Sequence, residues 1–363
     1  MATRLKDIAK SLNLSISTVS AALKNRSDIS PATRGRVMKK VRELNYYPNS
    51  LARSLVTQRT HILGVVVPDL SRSFFAEVTK GIDMLTSAAG YSLLLCNTDE
   101  DAVREERALG TLLSQRVGGL IIASAHKPNS AAFCKRLSAL GVPVVLIDRR
   151  LPKLQFVGAD DERIGYIATK HLIDQGYRCI GHLSGPQNIS TAIGRRKGYS
   201  KALCQAGMDL RDEYIVEASY HRESGGYEAM QQLLCLSEPP DAVFAASDPI
   251  AIGALQAMLQ AGLHPGPEIG LIGVGNHRYG EFLGVPLSTV DQRRIEIGTT
   301  AASLLLQLIR EKQIYNSESI LIEPELVIRA SSLRSARSPQ AFPLARPGET
   351  ADRPAGVGHS LTL

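Results

Sequence analysis

The sequence predicts an α/β protein carrying a small helical head, and three observations predict it. The first sixth of the 363-residue chain is basic, with apolar residues at helical spacing. From His61 onward, apolar runs of strand length alternate with amphipathic stretches of helical length. Those runs are rich in Val, Ile and Leu without polar alternation, the pattern of parallel strands buried on both faces. With 44% hydrophobic and 21% charged residues, the composition is that of a globular protein with two or three cores.

Composition also excludes. The longest clean apolar run, Ile62 to Val67, is strand length and far short of the ~18–20 residues that span a bilayer. The opening MATRLKDIAK has no apolar region behind its charges, so no secretory leader is expected. Cys96, Cys134, Cys179, Cys204 and Cys235 are scattered singly. That spacing fits neither a zinc site nor a disulfide framework, and the expectation is reduced thiols in a cytoplasmic protein. The net charge of +7 is uneven: residues 1–60 hold 12 Lys/Arg against 3 Asp/Glu, residues 61–334 hold 27 against 30. A basic head on a nearly neutral body is the asymmetry of a nucleic-acid binder.

In the head, Leu5, Ile8, Ala9 and Leu12 form one apolar stripe of a helix that Thr3 can cap. Asn13-Leu14 breaks the pattern. Ser15 then caps a second helix with Val19, Ala22 and Leu23 inward, and Ile16, Ser17, Thr18, Ser20 and Ala21 on its other face. Two helices joined by so short a turn make a helix-turn-helix, whose second helix enters the major groove. Small side chains there let the helix approach the base edges. A third helix starts at Ser30-Pro31 and runs to Leu44, with Arg34, Arg36, Lys39, Lys40 and Arg42 around it. Beyond Pro48, Asn49 can cap a helix of about six residues, too short to be stable in water without support. Such a segment can act as a switchable hinge.

The stretch LKDIAKSLNLSISTVSAALKN, followed by ISPATRGRVMKKVRELNYYPNSLARSL, resembles the head and hinge of LacI/GalR-family transcriptional regulators, and the resemblance continues to about residue 333. It implies that Ile16, Ser17 and Ala21 read bases, while Thr18, Ser20, Asn25 and Arg34 contact phosphates or orient the helix. It also implies that hinge helices from two subunits pair in the minor groove. There Leu55 wedges into the central base step beside Ala52 and Arg53. Many relatives carry Arg or His where this chain has Ala21, so the guanine contact those side chains make is missing and a different operator is expected.

Strands are expected at 62–67, 91–96, 118–123 and 143–148, then at 179–184, 241–246 and 269–274, forming two doubly wound parallel-sheet lobes. The resemblance implies a periplasmic-binding-protein type I body whose chain crosses between lobes near residues 158, 288 and 319. Ligands in such sheets sit beyond the carboxyl ends of the strands. Candidates there are Phe74 and Phe75 after the first strand, Asp148 ending the fourth, and Ser247-Asp248, which also cap a helix. By resemblance, Arg195 is a ligand-binding arginine and Gln292 a crossover glutamine near the cleft. Where relatives commonly carry an aspartate for sugar hydroxyls this chain has Gly275, and Asn276 is the candidate to replace it.

An enzyme is not expected. There is no P-loop, GxSxG or HExxH, and Gly273-Val274-Gly275 leads to Arg278 where a dinucleotide site needs glycine. The triplet Asp160-Asp161-Glu162 reads as helix capping, and His182 as structural. Residues 335–363 are rich in Pro, Gly, Ala and Arg and read as a disordered tail without a leucine heptad. The expected organisation is a DNA-binding domain at 1–48, a hinge at 49–60, a two-lobed effector and dimerisation body at 61–334 and a tail at 335–363. The expected function is a cytoplasmic homodimeric transcriptional repressor of carbohydrate utilisation, without a cofactor or metal. It binds a palindromic double-stranded operator and answers to a small carbohydrate in the cleft. The alternative is a solute-binding protein without DNA function.

Overall fold

The computed structural model describes residues 4–23, 25–46, 60–219, 223–314 and 319–334. Thr3, the hinge residues Asn49, Ala52, Arg53 and Leu55, and the tail 335–363 lie outside the described residues.

Three helices form the head, α1 (Leu5–Leu12), α2 (Ile16–Leu23) and α3 (Pro31–Glu43). Ile8, Ala9, Val19, Ala22 and Val37 make its core. Arg4 occupies the cap position of α1, where its backbone N–H donates to Asp7 Oδ2 at 2.8 Å. Ser15 Oγ accepts from the Thr18 N–H at 3.0 Å, and Ser30 Oγ from the Thr33 N–H at 3.2 Å, so these two expected caps form, whereas Arg4 and not Thr3 holds the cap position of α1.

The body begins with β1 (Ile62–Val67), α4 (Ser73–Ala88), β2 (Ser92–Asn97), α5 (Ala102–Ser114), β3 (Leu120–Ile122), α6 (Ala131–Ser138), β4 (Val144–Ile147) and β5 (Phe156–Ala159). It continues with α7 (Asp161–Asp174), β6 (Ile180–Ser184), α8 (Ser190–Gln205), β7 (Ile215–Glu217), α9 (Glu223–Leu234), β8 (Ala242–Ala245), α10 (Asp248–Gln260), β9 (Gly270–Val274) and β10 (Ser288–Asp291). The last elements are α11 (Arg294–Glu311), β11 (Ser319–Ile322) and β12 (Glu325–Val327). Two six-stranded sheets result, ordered β11-β5-β4-β3-β1-β2 and β12-β10-β9-β8-β6-β7.

All seven expected strands form. Five strands of three or four residues, β5, β7, β10, β11 and β12, were not expected: each carries a glycine or a polar residue that interrupts the apolar run, unlike the equally short Leu120–Ile122 of β3. The expectation of purely parallel sheets is also amended, because β12 runs antiparallel to β10. Chain crossovers fall after β5, between β10 and α11, and between β11 and β12, a few residues beyond the expected points.

Glycines set the closest helix contacts. A Cβ on Gly165 of α7 would strike the Arg195 carbonyl, and one on Gly198 of α8 would strike that of Glu162. These two positions let α7 and α8 touch backbone to backbone, which brings Asp161 at the start of α7 beside Arg195 of α8. No helix among the described residues is long and apolar enough to cross a membrane.

Candidate functional site

Two candidate surfaces emerge, one on the head and one between the lobes. On the head, α2 turns Ile16 outward at 53% exposure with Ser17 beside it, while Val19 and Ala22 are buried. An exposed isoleucine flanked by small hydroxyl residues can lie against base edges without a steric block. Ser15 Oγ lies 2.7 Å from Ser17 Oγ and 2.8 Å from Thr18 Oγ1, so these hydroxyls are ordered by the cap itself. Ser20 and Ala21 are half-buried. Asn25, two positions beyond the end of α2, adopts left-handed backbone at φ 54. Arg34 donates to the carbonyls of Arg26 (2.8 Å) and Ile29 (3.3 Å), which makes it a clamp on the turn before α3. Of its two implied roles, this geometry serves orientation.

Between the lobes lies a cavity of about 230 Å³. At ~30 Å³ per water this is room for about eight waters, the scale of a single small ring. The first lobe contributes the start of α4 and the residues after β4, and the second contributes α8 and the segments after β8 and β9. Phe74, Phe75, Asp148, Arg195, Ser247 and Gln292 all line it, gathered from five separate parts of the sequence. The two phenylalanines divide their work. Phe75 is 2% exposed and belongs to the core, while Phe74 packs against it edge-on at 5.1 Å as the half-buried wall.

Arg195 is held rigidly. Its Nε donates to Asp161 Oδ1 at 2.9 Å and its Nη1 to the Ala246 carbonyl at 2.6 Å. Burial pushes the Asp161 carboxyl up to about 7, against the pull of Arg195. The acidic triplet thus divides: Asp160 caps α7, accepting from the Arg163 N–H at 3.0 Å, while Asp161 positions Arg195 and Glu162 pairs with Lys197 and Lys201. Asp148 sits at φ 58, a strained backbone for a non-glycine residue, and burial raises its carboxyl despite Arg149 beside it. Arg149 forms a two-pronged pair with Glu100 at 2.5 and 2.6 Å, and Arg72 joins the same carboxylate at 3.0 Å.

Two candidates do not line the cavity. Asp248 is 1% exposed and spends its carboxylate on Thr289 Oγ1 (2.6 Å) and the His277 N–H (2.8 Å). Asn276 donates to Asp291 Oδ2 and accepts from Arg329, both at 2.9 Å, tying the crossover strands together. As placed, Asn276 does not replace an aspartate at 275. Sequence reasoning missed Arg72, Arg149, Thr191, His277 and Tyr279, which also line the cavity. The rule that singled out Phe74 applies equally to the loop after β9. His182 is structural as expected, stacked on Phe244 at 4.7 Å with Nδ1 2.9 Å from the Phe244 carbonyl. Burial lowers its imidazole to about 4. All five cysteines are free thiols, and no metal-holding cluster occurs among the described residues.

Residues 60–330 match the family of periplasmic binding proteins and sugar binding domains of the LacI family, and residues 4–49 match bacterial regulatory proteins of the lacI family. The chain is 35% identical over 334 residues to the transcriptional repressor PurR of Mannheimia succiniciproducens, covering 91% of this chain and 98% of that one. It is 36% identical over 333 residues to the ribose operon repressor of Haemophilus influenzae, again covering 91% and 98%. Among solved structures, the lac repressor dimer bound to operator and the anti-inducer ONPF superposes with a TM-score of 0.82 at 25% identity, over 92% of this chain and 100% of that one.

Proposed function

Since this chain belongs to the lacI family of bacterial regulatory proteins, we propose that it is a homodimeric repressor of a carbohydrate-utilisation operon whose inducer or corepressor is a small sugar bound between the lobes. As a family member it is a DNA-binding transcriptional repressor with an effector-binding body, and not an enzyme. The head at 1–48, the hinge at 49–60, the body at 61–334 and the tail at 335–363 divide these tasks. The observation that carries the effector reading is the cleft itself: Asp148, Arg195 and Gln292 offer hydrogen bonds to hydroxyls, and Phe74 offers a wall for the apolar face of a sugar ring. The similarity to a ribose operon repressor supports a sugar of that size.

Two exposed apolar features suit a second copy of this chain. Edge strand β2 exposes Leu94 and Leu95, and a hollow lined by Ile252, Leu255, Leu259 and Leu283 lies beside Phe282, which is 80% exposed. A two-fold dimer reads a two-fold operator. In this reading Ile16, Ser17 and Ala21 meet base edges, and Ser15, Thr18, Ser20, Asn25 and Arg34 position the helix. Asn49, Ala52, Arg53 and Leu55 form the paired hinge. Ligand-dependent lobe closure changes the spacing of the two hinges, coupling effector to DNA by ~1–3 kcal/mol. The solute-binding alternative leaves the basic head without a role and is not favoured.

The test is a fluorescence-anisotropy titration of the full chain onto a duplex from its own upstream region and onto a scrambled duplex, with and without sugars. We expect a preference of about 10³-fold or more for the native duplex, shifted by one sugar. Arg195→Ala is expected to keep operator binding and lose the sugar shift, and Leu55→Ser to keep only weak, salt-sensitive binding. Equal binding to both duplexes, erased by salt, would leave a non-specific electrostatic binder and overturn the reading.

A further inference from the structure

Three observations meet at one imidazole in the cleft wall. His277, in the loop after β9, is 7% exposed yet lines the cavity. Its backbone N–H is anchored on Asp248 and its Nδ1 lies 2.6 Å from the Tyr279 hydroxyl, so the second lobe holds it. Its Nε2 reaches the first lobe, lying 2.9 Å from Ser73 Oγ at the start of α4. One ring therefore bridges the lobes within the cavity wall.

The second observation is Gly275. A Cβ at this position would lie 3.1 Å from both Cδ2 and Nε2 of the His277 ring, and its φ of 135° is one that side-chain-bearing residues rarely adopt. Glycine at 275 spares the imidazole a contact that would push it aside by a few tenths of an ångström. The third observation is charge. Burial, helped by the Arg294 guanidinium, lowers the imidazole to about 4, so it is neutral at physiological pH with one donor and one acceptor nitrogen. The chain Tyr279–His277–Ser73 can then run in either direction. With Tyr279 donating to Nδ1, Nε2 donates to Ser73 and leaves the Ser73 hydroxyl as a donor. In the reverse order Ser73 donates to Nε2 and offers its oxygen as an acceptor. A relay that reverses in this way matches a ligand hydroxyl, which is itself both donor and acceptor.

We propose that His277 determines the ligand specificity of this cleft, forming with Ser73 and Tyr279 an interlobe relay that recognises a neutral, hydroxyl-bearing ligand and links its recognition to lobe closure. The inference rests on reading the cleft as the effector site. Neutrality follows from the pairing of the lining guanidiniums: Arg72 pairs with Asp69 and Glu100, Arg149 with Glu100 and Asp148, and Arg195 with Asp161, so carboxyls at least match the guanidiniums in number.

The test is calorimetric titration of the full chain with D-ribose, D-glucose and D-ribose 5-phosphate, with thermal unfolding of every variant. At least one neutral sugar is expected to bind, with the phosphate ester at least tenfold weaker than ribose. His277→Ala and Gly275→Ala should each weaken binding about tenfold or more. Ser73→Ala should weaken it by a similar factor, and combining it with His277→Ala should add little, the mark of one shared interaction. His277→Gln, whose amide nitrogen can reach the place of Nε2, should recover part of the loss while unfolding at the wild-type temperature. Wild-type affinity in folded His277→Ala overturns the inference and leaves the carbohydrate reading standing. Tighter binding of the phosphate ester overturns the neutral-ligand claim. A wild-type protein that discriminates its operator yet takes up neither neutral sugar overturns the carbohydrate reading and this inference with it.

Discussion

Glu105 shows what a single buried carboxyl contributes. It is 0% exposed, accepting from Ser124 Oγ at 2.9 Å and from the Ala125 N–H at 2.6 Å. Burial raises it from its ordinary 4.5 to about 7, against Arg149 and these two hydrogen bonds. The folded carboxyl therefore keeps a proton that the unfolded chain has already released. Stability contributed by that proton is complete below about pH 4.5, is lost as pH rises towards 7, and stays lost above it. Urea unfolding at pH 5 and pH 8 should show the wild type losing on the order of 2 kcal/mol more than Glu105→Gln over that interval. Equal slopes would assign the pH dependence elsewhere. The residues legible in the sequence, Phe74, Asp148, Arg195 and Gln292, stand at strand ends or in a resemblance. Arg149 was not legible as a site residue, because its partner Glu100 lies 49 positions away and no local pattern connects them.

At the scale of elements, glycines with different surroundings make opposite predictions. Gly298 of α11 faces α4 so closely that a Cβ would strike the Val78 carbonyl. Gly110 of α5 has nothing within 4 Å of its would-be Cβ. Gly298→Ala should therefore destabilise by about 1–3 kcal/mol or more through overpacking. Gly110→Ala should stabilise by about 0.5–1 kcal/mol, since alanine restricts the unfolded chain and favours helix. Chemical denaturation of both variants checks the pair. Helices capped by Ser15 and Ser30 were readable because capping is local. Strands such as β7 and β12, three residues each, were not. Their pairing energy comes from neighbours in the sheet, and a glutamate in each interrupts the apolar run that made the equally short β3 readable.

At the scale of the whole molecule, three crossovers join two lobes that each complete a sheet with strands distant in sequence. Arg294 at the start of α11 pairs with Glu77 of α4 at 3.2 Å and donates to the Asn276 carbonyl of the second lobe at 2.9 Å. The proposed lobe closure has to be accommodated around this buried guanidinium, which joins the two lobes. The proposed dimer gives the prediction at this scale. Leu259→Asp combined with Leu94→Asp should yield monomers at micromolar concentration by sedimentation velocity. Losing simultaneous contact with two half-sites should weaken operator binding about 10²-fold or more. A variant that remains dimeric would remove these surfaces from the interface.

The basic head, its three helices and the run of parallel strands were determined by the sequence alone, because charge, helical period and apolar runs are local properties that survive without tertiary context. The identity of the cleft's partners was decided by the tertiary structure. Ser73 and His277 stand 204 positions apart and meet only because two sheets pack with their strand ends facing. The same packing carries Asn276 into the crossover network and His277 into the cavity, although the two are neighbours in the chain. Which of two adjacent polar residues faces a ligand depends on backbone direction at Gly275 and on what lies opposite, and both are set by contacts between distant segments.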